Sequence, residues 1–217
     1  MNPRFPRHAL LAALIAWPIF AAAQAPTNPA VNAQLLVGGR EGDMALVERS
    51  LANGAAPDSR NRLGKTVLLM AIEKGNLPLA ERMLKAGADV NMASVEGVTP
   101  LMAASYTGQA ELAARLLDAG AKTDPLDRVK KPAIIYAAGQ GHTSVVELLL
   151  ARGVDVNTAY EHQLTALMWA AGQGHTATVK LLLKRGVRAD MKDDRGLTAL
   201  DMARQYGHAE VVALLAG

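Results

Sequence analysis

Histidine is the residue type in this sequence best suited to chemistry near neutral pH, because its imidazole can exchange a proton or bind a metal ion. Three of the five histidines, His142, His175 and His208, recur at intervals of 33 residues. Such even spacing places them on successive copies of one unit, and packed helices lie about 8–10 Å apart. The ligands of one zinc ion lie only about 2 Å from it. We therefore expect each histidine to bond to the loop at the start of its own helix, and not to share a metal ion.

The other residues that could carry chemistry lack partners in the sequence. Glu73 and Glu111 stand apart from any acid–base partner, and no serine-nucleophile elbow or zinc-protease motif is present. Gly-Gln-Gly-His at 139–142 and 172–175 follows a helix and not a strand, so it is not a phosphate loop. The absence of cysteine excludes thiol catalysis and cysteine metal sites. Four methionines at helical spacing indicate core packing and not a copper site: Met70, Met102, Met168 and Met202. The sequence thus predicts no catalytic residue, cofactor or metal site.

Short helices must position these residues, and residues 164–186 show them most clearly. Thr165 can cap a first helix with its hydroxyl oxygen. Gly174 ends that helix, and Gly186 ends the second, where a left-handed conformation costs glycine nothing sterically. Two helices of this size cannot bury their own apolar face, so the hairpin needs neighbours on both sides.

The hairpin is repeated along the chain with a period of 33 residues. Two glycine columns show this period: Gly42, Gly75, Gly108, Gly141, Gly174 and Gly207, and Gly54, Gly87, Gly120, Gly153 and Gly186. Thr99-Pro100-Leu101-Met102-Ala103-Ala104 resembles the Thr-Pro-Leu-His signature of the ankyrin-repeat family, and Gly141-His142 followed by Val145–Leu150 resembles its second helix. The resemblance covers residues 31–217. It implies an all-α fold, an α-solenoid of about six ankyrin repeats in which β-turn fingers join helical hairpins.

The repeats predict a definite division of the chain. We assign a divergent N-terminal cap, four internal repeats and a shortened C-terminal cap: 31–62, 63–95, 96–128, 129–161, 162–194 and 195–217. In the fourth unit Lys130-Lys131-Pro132 replaces Gly-x-Thr, which removes the hydroxyl cap and predicts a looser finger. The signature histidine is missing from every unit, so we expect slightly softer helix starts. Its column holds Leu69, Met102, Ile135, Met168 and Asp201.

The first 23 residues read as a signal peptide for export. Arg4 and Arg7 precede an apolar run over residues 9–20, and three alanines at 21–23 suit a cleavage site. The alternative is an uncleaved anchor or an N-terminal helix, although the run is shorter than the roughly 20 residues that span a bilayer. Residues 24–30 are then a linker. Without the first 23 residues the chain has 21 Lys+Arg and 20 Asp+Glu, so we expect no nucleic-acid partner and no stable membrane insertion.

The aromatic side chains predict a binding surface. Beyond residue 23 five remain, and all map to the first-helix faces and fingers that form the concave side of ankyrin-like stacks. Tyr and Trp dominate binding hot spots. We expect the small Gly139 and Gly172 to leave Tyr136 and Trp169 uncovered. The alternative is that these two rings only fill gaps between repeats. The predicted protein-binding residues are Tyr106, Tyr136, Gln140, Tyr160, His162, Trp169, Gln173, Lys192 and Tyr206, with Arg128 and Asp194 nearby on the fingers.

These observations predict a non-catalytic, exported module, periplasmic or secreted, that binds a protein partner. The family resemblance suggests two roles. One is support of another exported protein, such as an enzyme of oxidative-stress defence, and the other is neutralisation of a toxin delivered to the periplasm. An enzyme remains a separate possibility, and it would need a deep polar pocket with a perturbed ionisable residue.

Overall fold

Helical hairpins stacked side by side make up the protein. The computed structural model describes residues 28–217, and the predicted signal peptide and residues 24–27 lie outside this range. Twelve α-helices and no strands occur in the described part of the chain. Their bounds are α1 Pro29–Glu41, α2 Met44–Ala52, α3 Val67–Glu73, α4 Leu77–Lys85, α5 Pro100–Thr107, α6 Ala110–Asp118, α7 Ala133–Gly139, α8 Thr143–Ala151, α9 Ala166–Gly172, α10 Thr176–Lys184, α11 Ala199–Gln205 and α12 Ala209–Ala216.

The helices form two rows. The inner row runs α1, α3, α5, α7, α9 and α11, with each helix packed on the next, and the even-numbered helices form the outer row. Five fingers connect each outer helix to the next inner helix, and we number them first to fifth: 53–66, 86–99, 119–132, 152–165 and 185–198. The predicted solenoid of helical hairpins is confirmed.

Threonine side chains start the inner helices. Thr66, Thr99, Thr165 and Thr198 each accept a hydrogen bond from the backbone N–H three residues later, which satisfies a donor that the first helical turn leaves free. At α7 the cap position is Pro132, which makes no such bond. The predicted loss of the hydroxyl cap in the fourth unit is therefore confirmed.

The first hairpin differs from the others because its inner helix is longer. Asn28 caps α1, which includes the last two residues of the predicted 24–30 linker. Gly38 and Gly39 are buried within α1, and a β-carbon built on Gly39 would lie 2.6 Å from a methyl group of Val67. Glycine at this position therefore allows α1 and α3 to approach closely.

Each interface between repeats buries aliphatic side chains inside and carries ion pairs outside. Fully buried leucine, isoleucine and methionine side chains such as Leu68, Leu101 and Ile134 form one continuous core. Along the outer row, an acidic residue of one repeat pairs with an arginine of the next: Glu48–Arg82, Glu81–Arg115, Asp118–Arg152 and Glu147–Arg185. Such exposed pairs contribute little because solvent screens them, so the core supplies most of the stability.

One buried hydroxyl in this core has no hydrogen-bond partner. Ser105 Oγ lies in α5 and is buried without a donor or acceptor. Because an unsatisfied buried polar group costs free energy, Ser105→Ala should raise the free energy of unfolding by about 1 kcal/mol. Urea denaturation checks this. Thr178→Ala is the control, since Thr178 Oγ1 bonds Thr143 Oγ1 at 2.8 Å. That variant should instead lose stability, and a loss on both substitutions would contradict the prediction.

Candidate protein-docking groove

Three neighbouring depressions run along the inner helix row and share residues. The first is lined by Val98, Met102, Tyr106 and Tyr136 with Glu73 at its edge. The second contains the same two tyrosines with Lys131, Gln140, Trp169 and Gln173. The third contains Trp169 and Gln173 again, with Arg195, Met202 and Tyr206. Because each depression shares two residues with the next, the three form one continuous surface, which we call the aromatic groove.

Glycines in the groove hold the aromatic rings of the next repeat. A β-carbon on Gly139 would lie 3.4 Å from the Trp169 ring, and one on Gly172 would lie 3.9 Å from the Tyr206 ring. The expectation that these glycines leave Tyr136 and Trp169 uncovered was wrong, because both rings are half-buried against the core. The small residue of one repeat makes room for the ring of its neighbour.

The two rings at the ends of the row are the exposed ones. Tyr106 is 52% exposed and Tyr206 is 59% exposed. The Tyr106 ring meets the Tyr136 ring edge-on, with 5.9 Å between their centroids. The groove therefore combines two anchored rings, Tyr136 and Trp169, with two rings that present more than half of their surface to solvent.

Tyr136 is oriented by a buried carboxylate. Its hydroxyl donates a hydrogen bond to Asp127, which also accepts from the backbone N–H groups of Val129 and Lys131. Burial, followed by the hydrogen bond to Asp127, raises the pKa of the Tyr136 hydroxyl well above its usual value of 10.0. Asp127 is thus occupied in holding the third finger and Tyr136, and this leaves it poorly suited to act as a general base.

Lys131 covers one face of Trp169. Its Nζ atom lies 4.0 Å from the ring centroid, within the range of a cation–π interaction. Lys131 belongs to the third finger and Trp169 to α9, so this contact links neighbouring repeats across the middle of the groove.

The structure brings six of the nine predicted binding residues together in the groove. These are Tyr106, Tyr136, Gln140, Trp169, Gln173 and Tyr206. Tyr160 is half-buried against the core, so it contributes to the fourth finger's packing more than to its surface. Lys192 is exposed on the fifth finger. Sequence reasoning missed Lys131 and Arg195 as groove residues, because spacing alone does not show that a lysine of the third finger reaches the tryptophan of the next repeat.

The finger residues expected beside the groove contact acidic or basic side chains of neighbouring fingers. His162, which has no obvious partner in the sequence, has its Nδ1 3.2 Å from Asp194 Oδ2 on the next finger. Arg128 pairs with Glu96 at 3.2 Å in the same way. These contacts join adjacent fingers, so the charged side chains are partly occupied in positioning the groove's edge.

The three periodic histidines link repeats and do not bond their own loops as expected. His142 Nε2 bonds the Tyr106 carbonyl at 2.9 Å, and His175 Nε2 and His208 Nε2 bond the Gly139 and Gly172 carbonyls at 3.0 Å. Each acceptor lies in the last turn of the inner helix of the preceding repeat, where carbonyls lack helical partners. Within residues 28–217 no group of three potential metal-ligating side chains is close enough to hold an ion.

Tyr136→Phe should reveal the bond to Asp127 through its pH dependence. The raised pKa means that the folded state favours the protonated hydroxyl, so its stabilisation is complete below the unfolded-state pKa of 10.0 and is lost as pH rises above it. We expect the variant to be less stable by about 1–2 kcal/mol at pH 7. The difference should shrink steadily above pH 10. Urea unfolding of both proteins across this range measures it, and a pH-independent difference would contradict the assignment.

The stacked hairpins, their capped inner helices and the groove define a repeat protein of the ankyrin class. A family model for ankyrin repeats, built as three copies, matches residues 35–127 and 134–217. The chain therefore belongs to the ankyrin-repeat family, and that family's common role is protein–protein interaction. No curated protein gives a significant match to the chain. Among the helices of residues 28–217, none has the length and apolar character needed to cross a bilayer.

Proposed function

We propose that the aromatic groove is the surface with which this ankyrin-repeat protein binds a protein partner. The observation that carries the proposal is the continuity of the groove, which joins two exposed tyrosines through two anchored rings. Anchored rings lose little conformational entropy on binding, and Tyr and Trp supply much of the free energy at protein interfaces. The exposed amides of Gln140 and Gln173 add hydrogen-bonding groups that can orient a bound chain.

The groove favours binding over catalysis. Its depressions are open, and Asp127, the buried carboxylate beside it, already accepts three hydrogen bonds. A general base needs a free lone pair within reach of substrate. We therefore propose a non-catalytic module, in agreement with the common role of its family.

We further propose that the module is exported and acts on another exported protein. The basic start, apolar run and alanine site of residues 1–23 support export, and the absence of cysteine means that the fold is independent of the redox state of its compartment. Mass spectrometry of the protein isolated from the periplasm tests this directly. A mature chain that begins at Gln24 supports cleavage, whereas an intact N-terminus supports the anchor.

The partner's identity separates the two biological roles suggested by the sequence. The immobilised mature protein can capture partners from a periplasmic extract, with a Trp169→Ala, Tyr206→Ala variant as the matched control. If the protein captures a stress-defence enzyme and the control variant does not, the module acts in support of that enzyme. If it captures a toxin instead, its role is neutralisation. Equal capture by both proteins would argue against the aromatic groove as the binding surface.

A further inference from the structure

Neighbouring fingers are joined by two recurring hydrogen bonds. At the base, a side-chain oxygen accepts from a backbone N–H 31 residues later, in the pairs Asp58–Asp89, Asn91–Lys122 and Asn157–Arg188. At the tip, a backbone N–H donates to a carbonyl 32 residues earlier, in the pairs Val95–Leu63, Arg128–Glu96 and Asp194–His162. These bonds join the first finger to the second, the second to the third, and the fourth to the fifth.

Both bonds are missing between the third and fourth fingers. The equivalent base pair is Asp124 with the Asp155 N–H, and the equivalent tip pair is the Glu161 N–H with the Val129 carbonyl. Neither bond forms in the structure of residues 28–217, and no ion pair joins these two fingers. Arg128–Glu96 and His162–Asp194 join the fingers on either side.

The sequence of these two fingers departs from that of the other fingers near the tip. Tyr160 occupies the column in which Asn61, Asp127 and Asp193 use a side-chain oxygen to bond two N–H groups of the finger tip. Lys130 and Gln163 occupy the column of Gly64, Gly97 and Gly196, and both adopt φ +59°. Left-handed backbone strains these side chains, whereas glycine tolerates it. Ser94 of the second finger accepts one such bond, whereas non-glycine residues in the left-handed column occur in the third and fourth fingers alone among the five.

The helices beneath these fingers remain joined. His175 bonds the Gly139 carbonyl, and the Trp169 ring lies on Gly139. Each finger also keeps its own closing bond, Asp127 N–H to the Lys131 carbonyl in the third and Tyr160 N–H to the Leu164 carbonyl in the fourth. The helices at this junction are therefore joined by contacts that are independent of the finger tips.

We propose that the third and fourth fingers form a gate over the middle of the aromatic groove. Lys131 belongs to the third finger and covers Trp169, so opening the gate lifts the ammonium group from the ring and uncovers it. The gate controls access to the Trp169 ring. Opening is a motion within the chain itself, so it can be measured without a partner.

Spin labels on matched finger-tip positions test the gate, and the cysteine-free chain allows specific labelling. The pair Arg128→Cys, Glu161→Cys spans the gate. Two control pairs occupy the same column at the neighbouring junctions. One is Val95→Cys with Arg128→Cys, and the other is Glu161→Cys with Asp194→Cys. We expect a broader distance distribution with a longer component for the gate pair. Each control pair removes one exposed ion pair, which contributes little to finger pairing. Distance distributions of equal width at all three junctions would overturn the proposal.

A repair variant and amide exchange provide a second test. Lys130→Gly, Tyr160→Asn, Gln163→Gly gives both fingers the residues used elsewhere in the chain, and it should narrow the gate distribution toward the controls. In the unlabelled protein the Glu161 N–H should exchange with solvent on the order of tenfold faster than the Val95, Arg128 and Asp194 N–H groups. A repaired chain with unchanged width, or uniform exchange at the four sites, would show that the missing bonds do not create a gate.

Discussion

Gly141→Ala should lower the free energy of unfolding by about 2–4 kcal/mol, the largest stability effect expected from so small a change. Gly141 has φ +74°, where a side chain is strained, and its added β-carbon would lie 2.5 Å from His175 Nδ1. The imidazole must then move and lose its bond to the Gly139 carbonyl. Urea denaturation monitored by circular dichroism measures the loss.

Gly153→Ala is the matched control for this substitution. Gly153 has φ +89°, but nothing lies within 4 Å of its added β-carbon, so only the backbone cost of about 1–2 kcal/mol applies. The double variant Gly141→Ala, His175→Ala should lose less than the sum of its single variants, because the clash disappears with the ring. Equal losses for Gly141→Ala and Gly153→Ala would show that the histidine contact does not hold the repeats together.

Loss of the groove's aromatic side chains should produce the largest effect on binding. Trp169→Ala combined with Tyr206→Ala should weaken partner affinity by on the order of 1,000-fold, since each hot-spot ring contributes about 2 kcal/mol, or about 30-fold. Trp169 also packs on Gly139 and under Lys131, so its truncation costs stability as well. Tyr206 is 59% exposed, and its truncation should leave folding nearly unchanged. Surface plasmon resonance with the captured partner measures the affinities.

Two variants separate binding from stability. Tyr106→Ala removes the other exposed ring, and Arg115→Ala truncates a large side chain of the outer row that pairs with Glu81 and Glu111. We expect weaker binding for the first and unchanged affinity for the second, at temperatures where each is fully folded. If Tyr206→Ala and Tyr106→Ala both bind normally, and only the destabilising Trp169→Ala fails, the rings serve packing and not recognition.

The sequence predicts the fold because its signals are local and repeated. Thr66, Thr99, Thr165 and Thr198 mark the inner helix starts, and the structure confirms both these caps and the missing one at Pro132. Each signal depends on residues within one turn of the chain, so it can be recognised without knowing how the repeats stack.

Contacts between repeats are harder to predict. The histidines bond carbonyls 36 residues earlier, and spacing alone does not show whether such a side chain faces its own loop or the neighbouring repeat. For the same reason the seating of Trp169 on Gly139 reverses the expected role of that glycine. Tyr160 could be placed on its finger, but its burial depends on packing between the fourth finger and the core. The binding roles of the groove residues remain a prediction.

The most direct test of the central claim is hydroxyl-radical footprinting of the partner complex, read residue by residue by mass spectrometry. The account predicts that the partner protects Tyr106, Trp169 and Tyr206 from oxidation. Outer-row residues such as the partly buried Leu214 of α12 and the exposed Lys180 of α10 should react as in the free protein. Unchanged oxidation of the three aromatic residues, with protection along the outer row instead, would contradict a docking role for the aromatic groove.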